Sequence, residues 1–274
     1  MTYFDFDAEF TKFLHAWLEE NQDKYDHIEQ IERLMPDLYE RFINSPADYL
    51  KGQTPRQYFE SIPDVPRLLE MMKGYLMSDV PLPDLLPLQI SSFGLQAETP
   101  LCEMLLNPNA PMEARMLCVN LLQDIGSTRL MGTYIAWQQT RQEDDELADY
   151  TLESLEEMGE AALPFMLEAL EEANDTGREA LLSVLSRYPG TPGVYEHLIR
   201  LFDTRPDRQA AIAAYLGRLG DERALPVLME RALDDHVRYL DYIELRSAIE
   251  ALGGEAPERD FESDPDYDAL MGTD

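Results

Sequence analysis

The sequence predicts an all-α protein in which helical hairpins stack along the chain as an α-solenoid. Two observations predict this fold. Glycines recur at intervals of 30 to 33 residues, and the residues before each glycine are apolar at fixed offsets. We expect these glycines to cap helices: Gly94, Gly126, Gly159, Gly190, Gly220 and Gly253.

The helix before each glycine has one apolar face. Seventeen of the 18 positions that lie eight, four and one residues before the reference residue are apolar, with Pro189 as that reference in the fourth unit. Steps of four and three residues place these side chains on the same side of a helix, which must then pack against a neighbour. Glycine ends such a helix because it adopts the left-handed conformation at little cost.

Another apolar helix follows each short polar link, as in "EAALPFMLEAL" and "DERALPVLMERAL". Pro164 and Pro226 fall in the first turn of these helices, where the missing N–H would have no helical partner. A hairpin of about 32 residues is too small to bury its own apolar face, so its neighbours must complete the core. The pattern therefore predicts about six stacked hairpins.

Two stretches resemble HEAT-like repeats, in particular the short kind found in relatives of the phycobilin lyases. They are "RQAAIAAYLGRLGDERALPVL" (Arg208–Leu228) and "LRSAIEALGG" (Leu245–Gly254). The resemblance covers residues 81–254 and becomes weaker toward the N-terminus. It implies a right-handed superhelix of HEAT-like hairpins. Since such repeats serve as scaffolds, regulators and a few enzymes, it leaves the function open.

The two flanking regions lack this period. Residues 1–80 have helical patterns, such as "IEQIERLMPDLYERFI", and are expected to form an N-terminal helical cap. Thr54 and Asp64 precede prolines and are predicted helix starts. Residues 255–274 are acidic and without a period, so we expect a disordered tail.

The charge of the chain restricts its partners. The 54 Asp and Glu residues outnumber 22 Lys and Arg residues, which gives a net charge of −32. This charge disfavours nucleic acids and anionic membranes as partners, and a basic protein or peptide fits better. No apolar stretch reaches the roughly 18 residues of a membrane span, and no secretory signal is visible, so we expect a cytoplasmic protein. The oligomeric state stays open.

The sequence shows no motif typical of a catalytic or metal-binding site. The histidines lie in separate segments, the cysteines lie in apolar helical patterns, and no nucleophile motif or phosphate-binding loop occurs. We therefore expect a non-enzyme without metal or cofactor. The histidines and cysteines are His15, His27, His197, His236, Cys102 and Cys118.

The predicted function is a non-catalytic adaptor or scaffold that binds a protein or peptide, through a basic segment, on the concave surface of the solenoid. The alternative is an enzyme or enzyme accessory of the phycobilin-lyase-like kind that acts on a bound small molecule or protein. Carboxylates would attract the partner, and Arg and Tyr side chains would anchor it. The candidate binding residues are Tyr150, Glu153, Glu156, Arg187, Tyr215 and Arg218.

Three further arginines recur near the start of the second helix of their units. Arg115, Arg178 and Arg208 lie 11 or 12 residues before the reference position. In similar repeats an arginine at this place ties one unit to the next through an acidic loop residue. We therefore expect these three residues to be structural.

Overall fold

The computed structural model describes residues 2–21, 24–25, 27–262 and 264–271. Their regular secondary structure is helical, and these residues include no strand. The all-α prediction is therefore confirmed for the part of the chain that is described. Contacts divide the chain into two compact units, Met1–Leu130 and Met131–Asp274. The predicted boundary after residue 80 differs from this division, since α5 (Val65–Leu76) contacts the helices that follow it.

The first unit contains the aromatic-rich N-terminal region and the first two helix pairs. The helix start predicted at Thr54 is confirmed, because its hydroxyl accepts from Gln57 N at 3.1 Å and the Gln57 side chain accepts from Thr54 N at 3.1 Å. Asp64 likewise caps α5 by accepting from Arg67 N. The other helices are α1 (Phe6–Asn21), α2 (Ile28–Glu32), α3 (Met35–Ile43), α4 (Pro55–Glu60), α6 (Leu85–Ser91), α7 (Glu98–Leu106) and α8 (Met112–Asp124).

The second unit continues with helix pairs and ends in one short helix. Short 3-10 turns precede α11 and α15 directly, where the sequence predicts a polar link. The helices are α9 (Met131–Thr140), α10 (Glu146–Glu157), α11 (Leu163–Ala169), α12 (Asp175–Leu185), α13 (Val194–Thr204), α14 (Gln209–Leu219), α15 (Leu225–Ala232), α16 (Tyr239–Ala251) and α17 (Pro265–Met271).

Six successive helix pairs follow the repeat pattern, from α5 with α6 to α15 with α16, and the two helices of each pair contact one another. Within the first unit α6 contacts α8. Within the second unit α10, α12, α14 and α16 contact one another in succession. The predicted apolar stripe is what packs, because all 12 side chains at the offsets of eight and four residues are buried. The first of these pairs includes α5, which lies within residues 1–80, the region that the sequence predicts to be an N-terminal helical cap.

All six repeat glycines have a positive φ, between 55° and 81°. At the end of α14, Gly220 adopts the left-handed conformation and its N–H donates to Leu216 O at 3.3 Å. Leucine or alanine would adopt this conformation only with strain, which explains why the helix ends at a glycine.

The structure describes most of the tail that the sequence predicts to be disordered, and residues 263 and 272–274 of that tail lie outside the described residues. Residues 255–262 and 264–271 fold back on α16, where Phe261 is buried and α17 forms. The carboxylates of Asp264 and Asp266 have partners on α16 and beside it. In the described part of the chain no helix has both the length and the apolar character needed to cross a bilayer.

Candidate functional site

The second helices of three successive pairs line one cleft. Side chains of α10, α12 and α14, with the segments before α10 and α14, surround a volume of about 550 Å³. The turn between α9 and α10 and the start of α12 are joined by Asn174, whose amide donates to Arg141 O at 2.9 Å. The lining residues are Arg141, Glu143, Asp149, Leu152, Thr176, Glu179, Ala180, Ser183, Arg205, Asp207, Arg208 and Tyr215.

A buried polar network supports the α10 side of the cleft. Gln138 is fully buried, and its amide donates to Ala148 O at 2.7 Å and Thr151 Oγ1 at 3.0 Å. The guanidinium of Arg141, only 7% exposed, donates to Gln138 Oε1 at 3.1 Å and binds Asp149. Asp149 therefore presents its carboxylate from a fixed position on α10, although its side chain is 59% exposed.

Two further arginine–carboxylate pairs form the opposite side. Arg208 donates to both oxygens of Glu179, from Nε at 3.0 and 3.1 Å and from Nη2 at 2.6 Å. Arg205 binds Asp207 with Nε at 3.0 Å and Nη2 at 2.7 Å, which holds the pKa of the Asp207 carboxyl below its usual value. All three arginines of the cleft are thus occupied by carboxylates of the chain itself.

Tyr215 supplies the aromatic wall. Burial raises the pKa of its hydroxyl, and the nearby Glu179 carboxylate raises it further, so this group stays neutral. The guanidinium of Arg218 lies 5.8 Å from the centre of the Tyr215 ring and donates to Ser183 O at 3.3 Å. Both residues lie on α14 and face α12.

The other predicted binding residues lie around the cleft and do not line it. Arg187 forms an ion pair with Glu156, and the two side chains are 49% and 31% exposed. Glu153 is exposed and Tyr150 half-buried, both on α10. The six candidates are therefore distributed over two helices and one turn, with only Tyr215 among the residues that line the cleft.

The three recurring arginines have two different roles. Arg208 binds Glu179 of the preceding helix pair, and Glu179 lies on α12 and not in a loop. Arg178 instead donates to Leu170 O at 3.1 Å and Ala173 O at 2.7 Å within its own pair. Arg115 Nε likewise donates to Leu105 O at 2.9 Å, at the end of the helix with which it is paired. Carbonyls at a helix C-terminus lack helical partners and attract such cations.

The sequence interpretation missed Gln138, Arg141, Asp149 and Glu179. One feature of the sequence, the polar residue Thr151 in the apolar stripe, indicates a partner such as Gln138. Thr151 is the single non-apolar residue at the 18 stripe positions, and it accepts the hydrogen bond from Gln138. A polar residue in a buried stripe needs a polar partner, so Thr151 predicts a buried polar neighbour without saying which residue it is.

The chemistry of the cleft is that of paired charges. Four carboxylates and three guanidiniums line it, and Glu143 has no ion pair in the described ranges. No group of three or more His, Cys, Asp or Glu side chains suited to a metal ion occurs among the residues with described positions. The arrangement can bind a charged or hydrogen-bonding surface through its rim, where Asp149 and Glu143 face solvent.

A family model matches part of the chain. The model of the PBS lyase HEAT-like repeat family matches residues 209–234, which comprise α14, the turn at Gly220 and α15. No curated protein matches the chain. The matched segment begins with α14, the second helix of one pair, and ends with α15, the first helix of the next pair. The regular secondary structure of the described residues is helical. Residues 209–234 are thus similar to a HEAT-like repeat, and they lie in an array of helix pairs.

Proposed function

We propose that the chain is a non-catalytic adaptor, a right-handed solenoid scaffold that binds a basic segment of another protein on the face formed by α10, α12 and α14. One observation carries this proposal: the three arginines of the cleft each bind one of its four carboxylates, so the charge left for a partner among the lining residues is the exposed carboxylate of Glu143. A rim of this kind attracts Lys and Arg side chains.

The exposed face of α10 extends the acidic rim. Glu146 and Glu153 lie three and four residues from Asp149, so the three side chains share one side of the helix. Both glutamates are exposed and have no ion pair in the part of the chain that the structure describes. Tyr215 and Leu152 add apolar surface on which the methylene stem of a lysine or arginine can lie.

A second candidate function is an enzyme or enzyme accessory that acts on a bound small molecule or protein. The size of the cleft favours it, because about 550 Å³ lies within the range of small-molecule sites. Its lining argues for the adaptor, since seven of the 12 lining residues are charged whereas small-molecule pockets are mostly apolar.

Affinity capture from an extract of the source cells tests the proposal. The rim variant Glu143→Gln/Glu146→Gln/Glu153→Gln is compared with the wild type. A control variant, Glu168→Gln/Asp203→Asn/Glu230→Gln, removes the same charge from exposed positions on α11, α13 and α15. We expect a protein that the wild type and the control retain, that the rim variant loses, and that elutes as salt is raised.

Two results would contradict the adaptor. If every retained protein binds the rim variant as well as the wild type, the α10 face does not recognise a partner. If the purified chain instead releases a small molecule on denaturation, detected by mass spectrometry, and the rim variant does not carry it, the second candidate replaces the first.

A further inference from the structure

One buried histidine lies outside the cleft, and its chemistry is independent of the proposed function. His197 is on α13 and faces the α11–α12 link, residues 170–174. We propose that this residue is an acid-sensitive joint of the helix array. While the imidazole is neutral, α13 stays packed against α12 and the α11–α12 link. When the imidazole takes up a second proton, this packing loosens.

The ring of His197 is mostly shielded from water, and one of its nitrogens faces a carboxylate. The side chain is 13% exposed, and Nε2 lies 3.5 Å from Glu171 Oε1 in the α11–α12 link. Nδ1 is buried and finds no hydrogen-bond partner among the residues that the structure describes. A neutral imidazole carries one N–H, so we assign its proton to Nε2, where a carboxylate can accept it.

A second proton would place the ring in an unfavourable environment. The protonated ring donates from both nitrogens, and the new N–H at Nδ1 would be buried without an acceptor in the described part of the chain. His197 is also the fourth residue of α13, where the positive end of the helix dipole disfavours a cation. The Glu171 carboxylate offsets little of this cost, because it is 72% exposed and water screens its charge.

Burial and neighbouring charges together favour the neutral form of His197. Loss of hydration is the largest effect, and it lowers the pKa of His197 from its ordinary value of 6.5. Arg200 on α13 and Arg178 on α12 lower the pKa further, whereas Glu171 and Glu196 raise it in part. The ring is therefore neutral at neutral pH.

Arg178 is held in place near His197. Its guanidinium donates to Leu170 O at 3.1 Å and to Ala173 O at 2.7 Å, both in the α11–α12 link that carries Glu171. A positively charged imidazole would be repelled by this fixed guanidinium. The contacts of α13 with α12 and with the α11–α12 link are therefore the ones that acid weakens.

The unfolded chain takes up this proton more readily than the folded chain does. In the unfolded chain His197 titrates at its ordinary value of 6.5, whereas in the folded chain it titrates at lower pH. The stabilising contribution of neutral His197 is therefore complete above about pH 6.5. It is lost progressively as the pH falls from there through the lowered pKa of the folded state.

Urea titrations at about pH 7.5 and about pH 5 test the joint. His197→Gln replaces the imidazole by a side chain that does not titrate, and the control His236→Gln does so at an exposed position after α15. We expect the folding equilibrium constants of the wild type and the control to fall at least about twofold more between the two pH values than that of His197→Gln, because only they retain His197. An equal fall in all three proteins would overturn the proposal.

Hydrogen exchange of the wild type at the same two pH values locates the loosening, and it decides the question if His197→Gln does not fold. Protection is compared after correction for the intrinsic exchange rate at each pH. We expect amides of α13 and of the α11–α12 link to lose protection at the lower pH, while amides of α16 keep theirs. Equal loss of protection in α13 and α16 would show that acid destabilises both alike and that His197 is not a joint.

Discussion

Arg208 and Arg246 each bind one glutamate, but in different surroundings. The Glu179 side chain that Arg208 binds is 11% exposed and accepts three hydrogen bonds from the guanidinium. The Arg246–Glu250 pair joins two neighbouring turns of α16, and both side chains are more than half exposed. A carboxylate that is shielded from water depends on its ion-pair partner for stabilisation. In an exposed pair, water solvates either charge when the other is removed.

We therefore expect Arg208→Ala to lower the free energy of unfolding by about 1–3 kcal/mol, a value below that of a fully buried pair because Arg208 is itself half exposed. The matched control Arg246→Ala should leave stability essentially unchanged. Urea titrations followed by circular dichroism measure both. Equal effects of the two substitutions would show that the Arg208–Glu179 contact does not tie the two helix pairs together.

Single residues also show what a sequence can and cannot predict. The place of Arg208 in the repeat predicts an inter-repeat role, and its guanidinium contacts Glu179 of the preceding pair. Arg178 occupies a similar place but donates to carbonyls of its own pair, and that choice depends on where α11 ends in space. The partners of Arg141 come from different elements, so no local pattern could predict them.

At the scale of helices, α14 and α16 come close enough for their backbones to touch. Gly217 is buried there, and a Cβ at this position would lie 2.8 Å from Ala248 Cα and 3.1 Å from Ala248 Cβ. Two backbones in such proximity leave no space for a methyl group. Gly217 is thus required by packing, unlike the capping glycine Gly220 three residues later, which is required by its φ of 74°.

Gly217→Ala should push α14 and α16 apart and lower the free energy of unfolding by about 1–3 kcal/mol. This loss opposes the gain of about 1 kcal/mol that alanine brings to a helix interior. Gly132→Ala is the control, since Gly132 lies in α9, has no positive φ, and would place its Cβ in open space. We expect the control to be neutral or slightly stabilising. Thermal unfolding of both variants would contradict this packing argument if Gly217→Ala were the more stable.

Helices were more predictable than their boundaries and partners. The stripe before each repeat glycine predicted the second helix of every pair, since burial of one face leaves a periodic mark in the sequence. α17 left no such mark, because its contacts come from Asp264, Asp266 and the aromatic rings beside it, which do not form a stripe. The sequence pattern also did not predict the pairing of α5 with α6, because α5 ends at Leu76, well before the first repeat glycine, Gly94.

At the scale of the whole chain, negative charge is the largest imbalance that the contacts leave uncompensated. The ion pairs use arginines and lysines that number only 22, and the net charge of −32 persists after every such pair is formed. Folding brings these carboxylates closer together than they are in the unfolded chain, so their repulsion opposes the compact state.

Salt should therefore stabilise this protein. Raising sodium chloride from about 10 mM to about 300 mM shortens the screening length from about 30 Å to below 8 Å, which weakens repulsion between distant carboxylates more than attraction within contact pairs. We expect the midpoint of thermal unfolding to rise over this range and then level off. Chloride is the appropriate anion because sulfate stabilises proteins by exclusion from their surface. A midpoint that falls as salt is added would mean that the arginine–carboxylate pairs contribute more to stability than carboxylate repulsion costs.

The unfolding midpoint of the rim variant Glu143→Gln/Glu146→Gln/Glu153→Gln should rise less with salt than that of the wild type, since three of the repelling charges are gone.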